Sequence, residues 1–299
     1  MLPAALAAWP AGAASWRGNL SGLWNNASGT PLQRRPNFKS LVLEAPEAAG
    51  YEAHVKNAVN GIPGDDVGQD GAEWWTPDLP LLRVGGQVRT SVIIDPPDGR
   101  LPYSSEGRGA LVARLRAQNN FDGADSRPAV ERCLIGFGDP VAPPMLYQAQ
   151  TSGDYQFVQT PDALLIRAES NHDFRVVGLG LGNGRSELRP AWHGVSRGQW
   201  QGETLVIETS GFQDLEGLRS APDQLYLSPD ARVEERLTRR SADMIHYEFL
   251  VDDPRVFARP WRGESAFRNT GLQVLDYECH EGNYALPNIL RGARAAGPR

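Results

Sequence analysis

The stretch YQFVQTPDALLIRAESNHDFRVV, residues 155–177, decides how the rest of the chain is read. Tyr155 to Thr160 ends at Pro161-Asp162, Ala163 to Ala168 follows, and a polar cluster leads back into Phe174 to Val177. This punctuation predicts two or three short strands joined by tight breaks. The cluster is Glu169, Ser170, Asn171, His172 and Asp173. If the backbone stays extended, alternation puts Glu169, Asn171, Asp173 and Arg175 on one face. Such a row faces either water or a polar cavity of ligand size. The apolar strands on both sides favour the cavity.

Outward from this stretch, turn signals recur about every ten residues. Thr90 to Asp95 is a strand stopped by Pro96-Pro97-Asp98-Gly99, and Glu131 to Phe137 is another. Gln199-Trp200 and Thr204 to Thr209 flank one hairpin turn; Val233 to Arg239 and Met244 to Val251 flank a second. Val256 to Trp261, Glu264 to Asn269 and Gln273 to Cys279 continue the spacing. Two helices are expected, over Glu44 to Val59 and Arg108 to Asn120. Short connections imply antiparallel pairing, and closure would remove the exposed edges of so long a sheet. The fold class is therefore mainly β: an antiparallel, lipocalin-like barrel with a few helices and long loops. Eight to ten strands would leave an interior wide enough for a small ligand.

Composition narrows the chemistry. A formal charge of −6 argues against a nucleic-acid or anionic-membrane partner, since phosphate binding needs a concentrated basic surface. Lysine occurs only at Lys39 and Lys56, which leaves little scope for imine or pyridoxal chemistry. Cys133 and Cys279 have no zinc-type spacing and are either one long-range disulfide or two buried thiols. Residues 1–16 read as the back half of a secretory signal or as a disordered tail, with one barrel domain over 17–299. No apolar run is long enough for a membrane helix.

Some spaced motifs resemble a family of exported bacterial proteins. They are Trp24-Asn25-Asn26; Ser196-Arg197-Gly198 with Trp200, Gly202 and Thr204; Tyr247-Glu248 with Asp253-Pro254; Arg259-Pro260-Trp261; and Cys279-His280-Glu281-Gly282-Asn283-Tyr284. The resemblance runs nearly end to end. It implies a lipocalin-like barrel with a C-terminal cap and a periplasmic or secreted location, and no particular reaction. Acidic residues expected at Val195 and Gln201 are replaced here.

Among chemical motifs, Gly178 to Gly184 lacks both the GxGxxG spacing and a following helix, so it reads as a loop. No P-loop, GxSxG elbow or HExxH is present. What remains is histidine beside carboxylate, the equipment for proton transfer near neutral pH. The sequence therefore suggests a cofactor-free lyase or isomerase acting on a small hydrophobic, aromatic alcohol, with no metal required. His172 is the expected general base, oriented by Asp173 or Glu169, and Tyr155, Tyr247 or His280–Glu281 supplies a proton. Arg175 or Arg197 would stabilise an oxyanion. Asn25, Asn26, Trp192, Trp200, Tyr247 and Tyr284 are assigned to substrate binding. The alternative is a non-catalytic barrel that binds a hydrophobic small molecule, and either reading allows a homo-oligomer.

Overall fold

Thirteen strands and four α-helices follow one another in the computed structural model, which describes residues 18–60, 79–136, 138–146, 153–180, 192–213, 225–271 and 273–297. The first strands are β1 (Gly22–Asn25), β2 (Val42–Leu43), β3 (Arg83–Val84), β4 (Gln87–Arg89) and β5 (Ile93–Asp95). Next come β6 (Asp154–Gln159), β7 (Ala163–Ala168), β8 (Phe174–Leu179) and β9 (Val195–Gln201). The last are β10 (Thr204–Ser210), β11 (Arg232–Ser241), β12 (Met244–Asp252) and β13 (Trp261–Asn269). The helices are α1 (Ala45–Asn60), α2 (Ser105–Ala117), α3 (Cys279–Gly282) and α4 (Ala285–Ala296). No described helix is long and apolar enough to cross a membrane.

β1 pairs with both β6 and β13, so nine strands close a ring and β5 adds on to β13. The mainly β barrel expected from the sequence is the fold. One expectation needs correction: the pairing is not antiparallel throughout. An odd-numbered ring cannot alternate direction all the way round, and here β8 and β9 run parallel. Parallel neighbours begin at the same end of the barrel. The residue before β8, Asp173, and the segment before β9, which carries His193, are therefore brought to one rim.

Three expected strands do not form. Residues 128–136 coil into turns, with the Cys133 and Leu134 amides donating to the Val130 and Ala129 carbonyls. Cys133 sits at φ 54°, outside the β region. Val256 and Phe257 donate to the Asp253 carbonyl in a turn, and Pro254 and Pro260 have no N–H for a ladder. Gln273 to Cys279 is an irregular arm until α3 begins at Cys279. Cys133 and Cys279 form a disulfide across 146 residues, which ties this arm to the 128–136 turns.

Alternation fills the barrel. Tyr155 and Phe157, Leu164 and Ile166, Leu205 and Ile207, and Tyr247 and Phe249 are essentially fully buried. Phe267 stacks edge-on against Tyr155 at 5.3 Å and Tyr247 at 5.6 Å, and Phe249 meets Trp261 at 5.5 Å. A side chain at Gly263 would collide with the Phe249 ring, so this position needs glycine. The described interior is therefore a packed core, where the sequence suggested room for a ligand. Residues 138–146 add a strandless plug, burying Val141, Met145 and Leu146 in the same core. A satellite layer of α1 and the β2–β4–β3 sheet packs Leu43, Tyr51, Leu81 and Val88. Arg89 of β4 fastens this layer to the barrel by donating to Glu264 on β13 at 2.5 Å, and His246 on the neighbouring β12 meets the same carboxylate at 3.2 Å.

Candidate active site

The polar row predicted over 169–175 does not stay extended. Ser170 to His172 makes a single tight turn, with Asn171 and His172 at positive φ, so the side chains fan out. Arg175 alone points into the barrel, while Phe174 and Val176 face outward and are exposed.

His172 and Glu169 hold the C-terminal arm. The His172 Nε2 accepts the Tyr277 backbone N–H at 3.0 Å, and a Glu169 carboxylate oxygen accepts that of Leu275 at 2.8 Å. An accepting Nε2 carries no proton, so this imidazole is a structural acceptor with its proton on Nδ1. Asp173 turns away from it. One Asp173 oxygen accepts the Gly136 N–H at 2.6 Å and the other the Asn171 amide at 3.3 Å.

Asp173 instead meets two residues that the sequence did not single out. Asp139, only 4% exposed, belongs to the plug, and its Oδ1 lies 2.8 Å from the His193 Nε2. One donor atom from each of Asp139, Asp173 and His193 lies within 4.8 Å of the others. Two carboxylates and an imidazole concentrate negative charge in a half-buried place. A positive imidazole or a divalent cation would balance it, and this oxygen–oxygen–nitrogen set suits either. Burial raises the Asp173 carboxyl above its usual range. The Gly136 and Asn171 hydrogen bonds oppose that shift, the nearby Asp139 charge adds to it, and His193 opposes it. Among the other predicted binding groups, Trp192 adjoins His193 and is partly exposed.

The other predicted site residues lie apart from this rim cluster. Arg175 forms a two-pronged ion pair with Glu235 at 2.6 and 3.0 Å, inside the barrel. The Tyr247 hydroxyl donates to Glu235 at 2.7 Å and accepts the Met145 N–H at 2.9 Å. Burial and the Glu235 charge push Tyr247 well above the usual tyrosine range, so it stays neutral. Tyr155 is fully buried and donates to the Pro140 carbonyl at 3.0 Å. Asn25 is a turn-former bonded to Asp154 and the Ala27 amide, and Asn26 reaches the Met145 carbonyl at 3.5 Å. Arg197 faces solvent on the outer wall, and Trp200 packs on the core. His280 and Glu281 are exposed on α3, and Tyr284 is 73% exposed beside it.

Asp173 yields a stability prediction. An acid whose folded pKa is raised keeps its proton longer in the native state, so stability falls as pH climbs from the ordinary aspartate range through the folded value. Asp173→Asn should therefore melt higher than the parent at pH 7 and show a shallower decline between pH 4 and 7. Burial also raises Asp154, which leaves a residual decline of the same sign in the variant. Calorimetric melting curves across that range check it; an unchanged slope counts against a desolvated Asp173.

Scanned against known protein families and against curated protein sequences, the chain matches none.

Proposed function

We propose that the protein is an acid–base enzyme of the lyase or isomerase type, working at the barrel rim on a small, largely apolar alcohol or related aromatic compound. The observation that carries this reading is His193 held 2.8 Å from the buried Asp139 with Asp173 alongside. Asp139 faces the Nε2 edge of the imidazole, which leaves Nδ1 as the atom that would take a proton. Asp173, whose carboxyl holds a proton more readily than usual, would return one to the departing or rearranging group. Trp192, next to His193 and open to solvent, offers a flat apolar face to an aromatic ring. Dehydration, double-bond shift and retro-aldol cleavage all need only such a pair. The disulfide supports an oxidising setting such as the periplasm or the exterior.

The three donor atoms within 4.8 Å also favour a second version, in which a divalent cation at these residues polarises the substrate oxygen. A panel of aryl alcohols, aryl-substituted diols and unsaturated aryl compounds, incubated with purified protein and analysed for products, tests both. Turnover that survives exhaustive chelation supports the free acid–base pair. Turnover lost on chelation and restored by one metal, with stoichiometric metal by elemental analysis, supports the cation. Saturable binding without product from any compound identifies a binding protein and overturns the enzyme reading.

A further inference from the structure

We infer that the buried Arg175–Glu235–Tyr247 assembly is a positioning device that holds the plug, and through it Asp139, against His193. The inference rests on the rim cluster proposed above as the working site. An ion pair closed off from water is costly, and apolar residues of similar volume often serve stability as well or better. Its presence inside an aromatic core therefore calls for a task that apolar packing cannot perform.

That task lies in direction. The plug, residues 138–146, makes no strand, so its buried backbone groups need partners from elsewhere. Tyr247 supplies one, accepting the Met145 N–H at 2.9 Å while donating its own proton to Glu235 at 2.7 Å. A hydroxyl that donates in one fixed direction presents its lone pairs in another. Glu235 sets that direction, and the two-pronged Arg175 contact sets Glu235. Asn26 bonds the Met145 carbonyl, and Tyr155 bonds the Pro140 carbonyl at 3.0 Å, one residue from Asp139.

Asp139 also needs holding. Its φ is 52°, in the left-handed region that non-glycine residues occupy only when their surroundings impose it. The Asp139 N–H donates to the Gly136 carbonyl, and the Gly136 N–H donates to Asp173, so one short segment sets both carboxylates. Tyr155, Tyr247 and Asn26 secure the other side. Arg175, Glu235 and Tyr247 are thus positioning residues, since none of them touches His193 among the contacts described.

Tyr247→Phe is the test, because it deletes one hydroxyl and keeps the ring. Three readouts are expected to move together. The Met145 amide should lose most of its hydrogen-exchange protection. The His193 imidazole resonances should shift toward those of Asp139→Asn. On a verified substrate, kcat should fall about 10²-fold, the cost of a misplaced catalytic group, with KM within about twofold. If Tyr247→Phe does not fold, Glu235→Gln replaces it, since that change keeps the Tyr247 hydroxyl and alters the group that sets its direction. His193 resonances that stay at their wild-type positions in the folded variant overturn the inference, whatever happens to stability. The spectroscopic readout needs no turnover, so a wild-type protein without activity would defeat the proposed function and still leave the anchor decided by the spectra.

Discussion

Arg175→Met is expected to destabilise the protein by about 3–5 kcal/mol, the range for removing one partner of a buried ion pair. Glu235 has no exposed surface, and Arg175 supplies both prongs that neutralise it. Burial alone would depress the Arg175 guanidinium. The charge and hydrogen bonds of Glu235 outweigh that and hold it above its usual value. In the variant the carboxylate keeps only the Tyr247 hydroxyl. It is then a buried charge without a counter-ion, which is what makes the single variant costly. Arg175→Met combined with Glu235→Leu should regain most of the loss, because no charge is left stranded. Urea titrations of the parent, both single variants and the double variant at pH 5 and 7 supply the cycle. A single variant within about 0.5 kcal/mol of the parent, the range of ordinary surface substitutions, would show that the pair carries no strain on the fold.

The second large effect concerns chemistry. His193→Gln should lower turnover of a verified substrate by about 10²–10⁴-fold, the usual contribution of a general acid or base, with the fold retained. Glutamine keeps a hydrogen-bonding group near Asp139 and cannot shuttle a proton at neutral pH. His172→Ala is the matched comparison. Its imidazole is spent on the Tyr277 N–H, so its loss should loosen the C-terminal arm and leave turnover within about tenfold of the parent. Steady-state rates for both variants decide between the two histidines. Full activity in His193→Gln with activity lost in His172→Ala would return the base to the 169–175 turn.

The barrel was legible because period-two alternation and Gly/Pro punctuation are local signals, and local signals survive folding. Arg175 and Glu235 were legible in principle as well. Each shares a face with residues that must be inside, Val177 for one and Val233 and Leu237 for the other. Two opposite charges on inward faces have to meet. The rim cluster carried no such signal. Asp139 stands in an irregular loop 34 residues before Asp173, and His193 lies a further 20 beyond it. Their meeting depends on the parallel β8–β9 pair, and a parallel pair has no tight turn to announce it. His172 looked catalytic because it lies next to Asp173 in sequence. The tight turn, with two residues at positive φ, sends the two side chains to different neighbours.

The parallel pair also makes the ring unevenly stitched. β8 and β9 share only three registered residue pairs, Val177 with Ser196 through Leu179 with Gly198, whereas β11 and β12 share nine. Local opening costs least where the fewest backbone bonds must break. This seam is one of the two shortest in the ring, alongside β1–β13 with two pairs, and the segments carrying Asp173 and His193 enter it from the same end. Separation at this seam would part the segments carrying Asp173 and His193, while the longer ladders from β10 to β13 keep the aromatic core together.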